Sequence, residues 1–147
     1  MTKKKITKKK PAATTKLHTI SVPDIGTHWK GQGGIFAGLM RGRDGEKDYA
    51  LILGPALERG TFDEVSKNAT TAKTDGHKDF RLPKRNEQSL LYANLKDKFK
   101  PAWYWSCERH PDHEDYASAQ YFNNGHQYAW GVYAYYLGVA VRVVNIQ

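Results

Sequence analysis

Apolar positions along this chain follow two different periods, and the change from one to the other sets out the elements. Thr19-Ile20-Ser21-Val22 reads as a short strand ended by Pro23. A glycine-rich segment runs from Gly26 to Gly34, and an apolar strand is predicted over Ile35–Met40. Residues 41–48 connect it to Tyr49–Leu53, which pairs back on it. Asp44-Gly45 supplies the turn, because both residues tolerate the positive φ of a tight hairpin. Gly54-Pro55 is expected to end the second strand.

Helical spacing follows. Thr61-Phe62-Asp63-Glu64 fits a capping box, with Thr61 as N-cap and Glu64 three residues on. Phe62, Val65, Ala69 and Ala72 then recur on one helical face as far as Asp75-Gly76. Pro83 suits the first turn of a second helix, where its missing N–H is no loss. Glu87, Leu90, Leu91 and Leu95 carry that helix to about Phe99. The period then returns to that of strands, over Ala102–Cys107, Tyr116–Phe122, His126–Tyr133 and Leu137–Val144. Asn123-Asn124-Gly125 is a hairpin turn by the same positive-φ argument. Strands, two helices and more strands make an α+β order.

Charge changes how residues 1–18 are read. Lys3, Lys4, Lys5, Lys8, Lys9, Lys10 and Lys16 stand there without an acid, in a chain of 147 residues whose net charge is +8. The remainder is nearly neutral. With so little apolar surface to offset backbone entropy, residues 1–18 are expected to be a disordered arm ahead of one domain over 19–147. Its lysines could attract phosphates without reading sequence, or could simply keep the protein soluble. No run reaches the ~18 apolar residues of a membrane span, and no secretion signal is recognisable. A lone cysteine, Cys107, fits a reducing compartment. The expected location is the cytoplasm of the producing or host cell, or a virion.

Candidate chemistry is sparse. Cys107 lies in an apolar aromatic strand, where a small buried residue is the common finding. His110, Asp112, His113, Glu114 and Asp115 resemble a metal-binding cluster, but Pro111 and the surrounding charges also describe a solvated loop. No metal or cofactor is expected. Gly31, Gly33 and Gly34 lack the Lys-Ser/Thr of a phosphate loop and precede a strand, so a tight backbone turn is the reading. The C-terminal stretch says more. Tyr128, Trp130, Tyr133, Tyr135 and Tyr136 alternate with small residues, a composition that offers large contact area at low entropy cost. Strand alternation would place Tyr128 and Trp130 on one face and Tyr133 and Tyr135 on the other, one of them contributing to the core.

Several segments, in order, resemble one family. Asp79-Phe80-Arg81-Leu82-Pro83 with Asn86-Glu87 and Leu90-Leu91-Tyr92 is similar to a D-W-R-L-P-(T/S)-R-x-E-x-x-x-L-Y signature. Trp103-Tyr104-Trp105-Ser106 is similar to Y-W-S-S, Tyr121 to Gln127 to F-x-x-G-x-Q, and Val141-Arg142-Val143-Val144 to V-R-x-V. Gly31–Gly38 with Gly42 to Gly45 resembles the opening of phage and prophage members. The chain is thereby identified as resembling the domain of unknown function 1566, or Lcl C-terminal-like, family over about residues 26–144. Phe80 stands for a usual Trp, Cys107 for a usual Ser or Thr, and Gly138–Ala140 where another Arg often lies.

The resemblance implies a C-type-lectin-like fold, a compact twisted antiparallel sheet with two helices. It also implies a ligand-binding or surface-displayed role. Enzymes on the related sulfatase-modifying branch need paired cysteines or a histidine metal site, and one cysteine makes no pair. The expected function is a non-enzymatic, phage- or prophage-type protein-binding module, virion-associated or an inhibitor of a host complex such as a defence system. Its contact surface would combine an aromatic C-terminal hairpin of Tyr128, Trp130, Tyr133, Tyr135 and Tyr136 with His110 and His113. The rival expectation is a nucleic-acid-associated accessory protein contacting phosphates through the arm. A metal-dependent enzyme at His110 and His113 is the third.

Overall fold

The computed structural model describes residues 21–146. The lysine arm, Thr19 and Ile20 lie outside the described residues, and Ser21 and Val22 are irregular rather than strand. The elements in chain order are β1 (His28–Trp29), β2 (Gly34–Met40), β3 (Tyr49–Gly60), α1 (Phe62–Thr70), α2 (Arg85–Leu95), β4 (Trp103–Arg109), β5 (Tyr116–Tyr121), β6 (Gln127–Gly131) and β7 (Tyr136–Asn145). A single 3₁₀ turn, Lys96–Lys98, follows α2. The strands form one sheet in the order β1-β2-β3-β7-β4-β5-β6.

The fold is α+β as expected, but the sheet is mixed and not purely antiparallel, because β4 and β7 pair in parallel at Tyr104 and Leu137. The expected C-terminal hairpin does not form either. β6 is the outermost strand, whereas β7 lies between β3 and β4. The chain leaves the edge at a turn closed by the Ala134 N–H and the Gly131 carbonyl, 3.0 Å apart. Buried Val132 steers that departure, since its N–H donates to the Asp115 carbonyl at 2.8 Å and its carbonyl accepts from Phe62 N–H at 3.0 Å. Tyr133 and Tyr135 are thus in a crossing turn, and the face assigned to them by strand alternation does not exist.

Other boundaries move for local reasons. Asp44 and Gly45 both have positive φ, 53° and 84°, so the β2–β3 turn is as predicted. β3, however, continues past Gly54-Pro55 to Gly60. The register shifts between Leu53 and Ala56, a bulge at which proline's missing N–H interrupts no ladder bond. The Thr61–Glu64 capping box is present, but α1 stops at Thr70, and Asp75-Gly76 instead turns a short bridge between Thr74 and His77. Pro83 precedes the N-cap Lys84 rather than entering α2, and α2 ends at Leu95, short of Phe99.

The helices cover opposite faces. Leu91 and Leu95 of α2 pack with Leu51, Leu53, Tyr104, Phe122 and Val141. Phe62, Val65 and Ala69 of α1 pack with Trp105, Ala117, Ala119 and Ala140 on the other side. Two ion pairs made by residues of the resembling motifs hold the segment between the helices. Arg81 grips the fully buried Glu87 carboxylate at 2.7 and 2.9 Å. Arg142 binds Asp79 at 2.8 Å and also the carbonyl of Gln32, at 2.8 Å, which fixes the glycine-rich turn. Gly31 and Gly33 there have φ of 81° and 91°, which makes this the expected backbone turn.

Candidate functional site

β4, β5 and β6 form one end of the sheet, and α1 covers only the inner part of their face. Trp103 and Trp105 project to that face from β4, and Tyr121, Ala119 and Ala117 from β5. Tyr128 and Trp130 project from β6, as the registers Trp103–Tyr121, Ala119–Tyr128 and Ala117–Trp130 require. Trp105 is fully buried, edge-on to Phe62 of α1 with ring centres 5.5 Å apart. Beyond it the face opens to solvent.

Trp103 is the hub of this open part. It stacks on Tyr121 at 5.1 Å and 16° and meets Trp130 edge-on at 5.2 Å. Tyr128 and Tyr136 lie 6.2 and 6.0 Å from it. Ala117 and Ala119 have no exposure, and their small side chains leave the floor over which rings from β4 and β6 meet. Each such pair contributes roughly 0.5–1.5 kcal/mol beyond the area it buries, so the rings are held in place before any partner arrives. They are nonetheless accessible. Tyr128 is 58% exposed, Trp130 37%, and Tyr133 and Tyr135 in the adjoining turn 80% and 58%.

Four of the five aromatics singled out in the sequence are therefore at the surface, and Tyr136 is half-buried against Trp105. Burial raises the Tyr136 phenol above its ordinary pKa. Sequence reasoning missed Trp103 and Tyr121. Their spacing within a strand was readable, but only the strand order brings them beside Tyr128 and Trp130.

The opposite face of the same strands is polar. Arg85, Glu108, His110, Asp112, Gln127 and Ala129 line a cleft of about 470 Å³ at the β6 edge. Beneath it a buried amide chain ties α2 to the sheet. Gln88 donates to the Tyr104 carbonyl at 3.0 Å, Gln120 to the Gln88 carbonyl at 3.0 Å, and Gln127 to the Gln120 side-chain oxygen at 2.6 Å. The loop after β4 brings His110 and His113 to a ring separation of 5.0 Å. His110 Nδ1 accepts from the Asp112 N–H at 3.1 Å, and His113 lies edge-on to Tyr116 at 6.4 Å. Among the described residues, no group of three or more His, Cys, Asp or Glu side chains could hold a metal ion. His110 thus borders the polar cleft, around the sheet edge from the aromatic face.

Cys107 is half-buried, and its N–H donates to the Pro83 carbonyl at 2.8 Å. Burial pushes its thiol pKa up, against a smaller opposing pull from Arg81. That is the setting of an unactivated thiol. None of the helices among the described residues is long and apolar enough to cross a membrane.

The class these observations define is an α+β domain whose outer sheet edge carries an open, pre-packed aromatic face. No protein-family model matches the chain, and no curated protein matches it in sequence.

Proposed function

We propose that the protein is a non-enzymatic protein-binding module whose contact surface is the aromatic face of Trp103, Tyr121, Tyr128, Trp130 and Tyr136, extended by Tyr133 and Tyr135. The observation that carries this reading is the exposure of Tyr128, Trp130, Tyr133 and Tyr135 together at one sheet edge. Large exposed aromatics are enriched at the centres of protein interfaces, and rings already locked against one another lose little freedom on binding. The unactivated Cys107 thiol supports a role without covalent catalysis. Phage or prophage character rests on the motif resemblance. It would make the partner either a virion component or a host complex, such as a defence system.

A second reading has its own observation, the seven lysines within residues 1–16. A nucleic-acid accessory role would run through those charges by counterion release and would weaken steeply with salt. Capture from host or infected cells separates the two readings, with wild type, Trp130→Ala and a chain lacking residues 1–16 as baits. Under the protein-binding reading Trp130→Ala loses the captured protein and the shortened chain keeps it. Loss of nucleic acid in the shortened chain, with Trp130→Ala unaffected throughout, would favour the second.

A further inference from the structure

The two edges of the sheet are finished differently. β1, at one edge, has two residues, too few to template another strand. β6, at the other, has five and runs against β5 without a register shift. It contains neither proline nor a charged side chain, the usual devices that keep an exposed edge from pairing. Tyr128, Ala129 and Trp130 are all exposed along it.

The β5–β6 ladder determines which backbone groups face outward. Val132 N–H donates to the Asp115 carbonyl, and Tyr121 N–H to the His126 carbonyl, both at 2.8 Å. Bonded pairs alternate between antiparallel strands, so the bonded pairs lying between these are Ala117–Trp130 and Ala119–Tyr128. Gln127, Ala129 and Gly131 consequently aim their N–H groups away from the sheet, and Gln127 and Ala129 their carbonyls also.

We propose that this edge pairs with the same edge of a second copy of the chain, β6 against β6, antiparallel about a twofold axis at Ala129. The strand is self-complementary in that register. The two Ala129 residues exchange both of their outward hydrogen bonds, and on either side the Gly131 N–H donates to the Gln127 carbonyl of the other copy, the Gly131 carbonyl being held by the Ala134 N–H. Tyr128 then falls directly opposite Trp130 of the second copy, in the non-bonded position where cross-strand side chains come closest and aromatic pairs stabilise most. The twofold axis makes this a ladder of four rings. At each end it continues into the Trp103 and Tyr136 rings already described. No charge on either strand opposes it. The aromatic face stays open and doubles in length, so the inference does not depend on the proposed protein partner.

Five residues a side give less contact than the 1,200–2,000 Å² typical of stable complexes, so a Kd on the order of 100 µM is expected. Sedimentation equilibrium of the full chain, from about 5 to 500 µM in enough salt to screen the lysines, measures it. Ala129→Pro removes the outward N–H without breaking a bond to β5, and it should weaken the dimer roughly tenfold or more. A monomer throughout, or a dimer that Ala129→Pro leaves unchanged, overturns the proposal. Amide exchange in the wild type reads the same edge without a substitution. The Ala129 and Gly131 amides should slow as concentration rises, while those of Tyr128 and Trp130 are slow throughout; a dimer that leaves the first two fast is equally fatal. Because Ala129→Pro keeps Tyr128 and Trp130 in place, it separates dimerisation from partner capture.

Discussion

Glu87 has no solvent exposure, and burial alone would raise its pKa. Burial is the largest single influence on it, but the hydrogen bonds and charge of Arg81, with Tyr49 Oη and the Lys84 N–H, together outweigh burial and hold the carboxyl below its ordinary value. Burial, followed by the hydrogen bond to Glu87, in turn raises the Tyr49 phenol. A depressed carboxylate pKa stabilises the fold fully above the unfolded value of about 4.3, and that stabilisation disappears as pH falls through the folded value. Glu87→Gln should therefore cost about 3 kcal/mol at pH 7, because it leaves Arg81 without its counter-charge. It should also flatten the loss of stability below about pH 4.3. Urea denaturation of both proteins at several pH values checks both outcomes. Equal stabilities at pH 7 would mean that the pair does not hold the α2 entry.

At the scale of elements, α1 sits close enough to β7 that a Cβ on Gly138 would come within 2.3 Å of a Val65 methyl. Val65 is fully buried on a helix, and its branched side chain has one favoured rotamer there. Gly138→Ala should thus lower the thermal midpoint, at a cost of about 1–3 kcal/mol. A midpoint within a degree of wild type would show that α1 is free to shift. Such contacts explain what the sequence could and could not reveal. The capping box at Thr61 and the Asp44-Gly45 and Asn123–Gly125 turns were legible because their chemistry is local. The end of β6 was not. Val132 makes the last bond towards β5, to Asp115, and turns its carbonyl to the Phe62 N–H, and nothing near it in sequence marks that. The same gap hid Trp103 and Tyr121, since strand order decides which aromatics share a face. The aromatic residues themselves were legible, and four of the five are exposed, but the hairpin expected to carry them does not form.

For the whole molecule, the concentrated charge and the aromatic face are separated along the chain. Seven lysines within residues 1–16 supply most of the net +8, while the proposed binding edge lies in residues 103–136. Removing residues 1–16 should therefore slow association with an acidic protein partner in low salt and leave dissociation unchanged. Surface plasmon resonance at two ionic strengths reads that difference, and a dissociation rate raised in the shortened chain would place the arm in the bound interface.

In the proposed function the aromatic face carries the binding energy. The most direct test is the affinity of the captured partner for wild type and for Trp130→Ala, each confirmed folded by its circular dichroism. A central interface tryptophan typically contributes 2 kcal/mol or more, so a loss of about thirtyfold or greater is expected, mostly through faster dissociation. An affinity within twofold of wild type would place the binding energy away from the aromatic face.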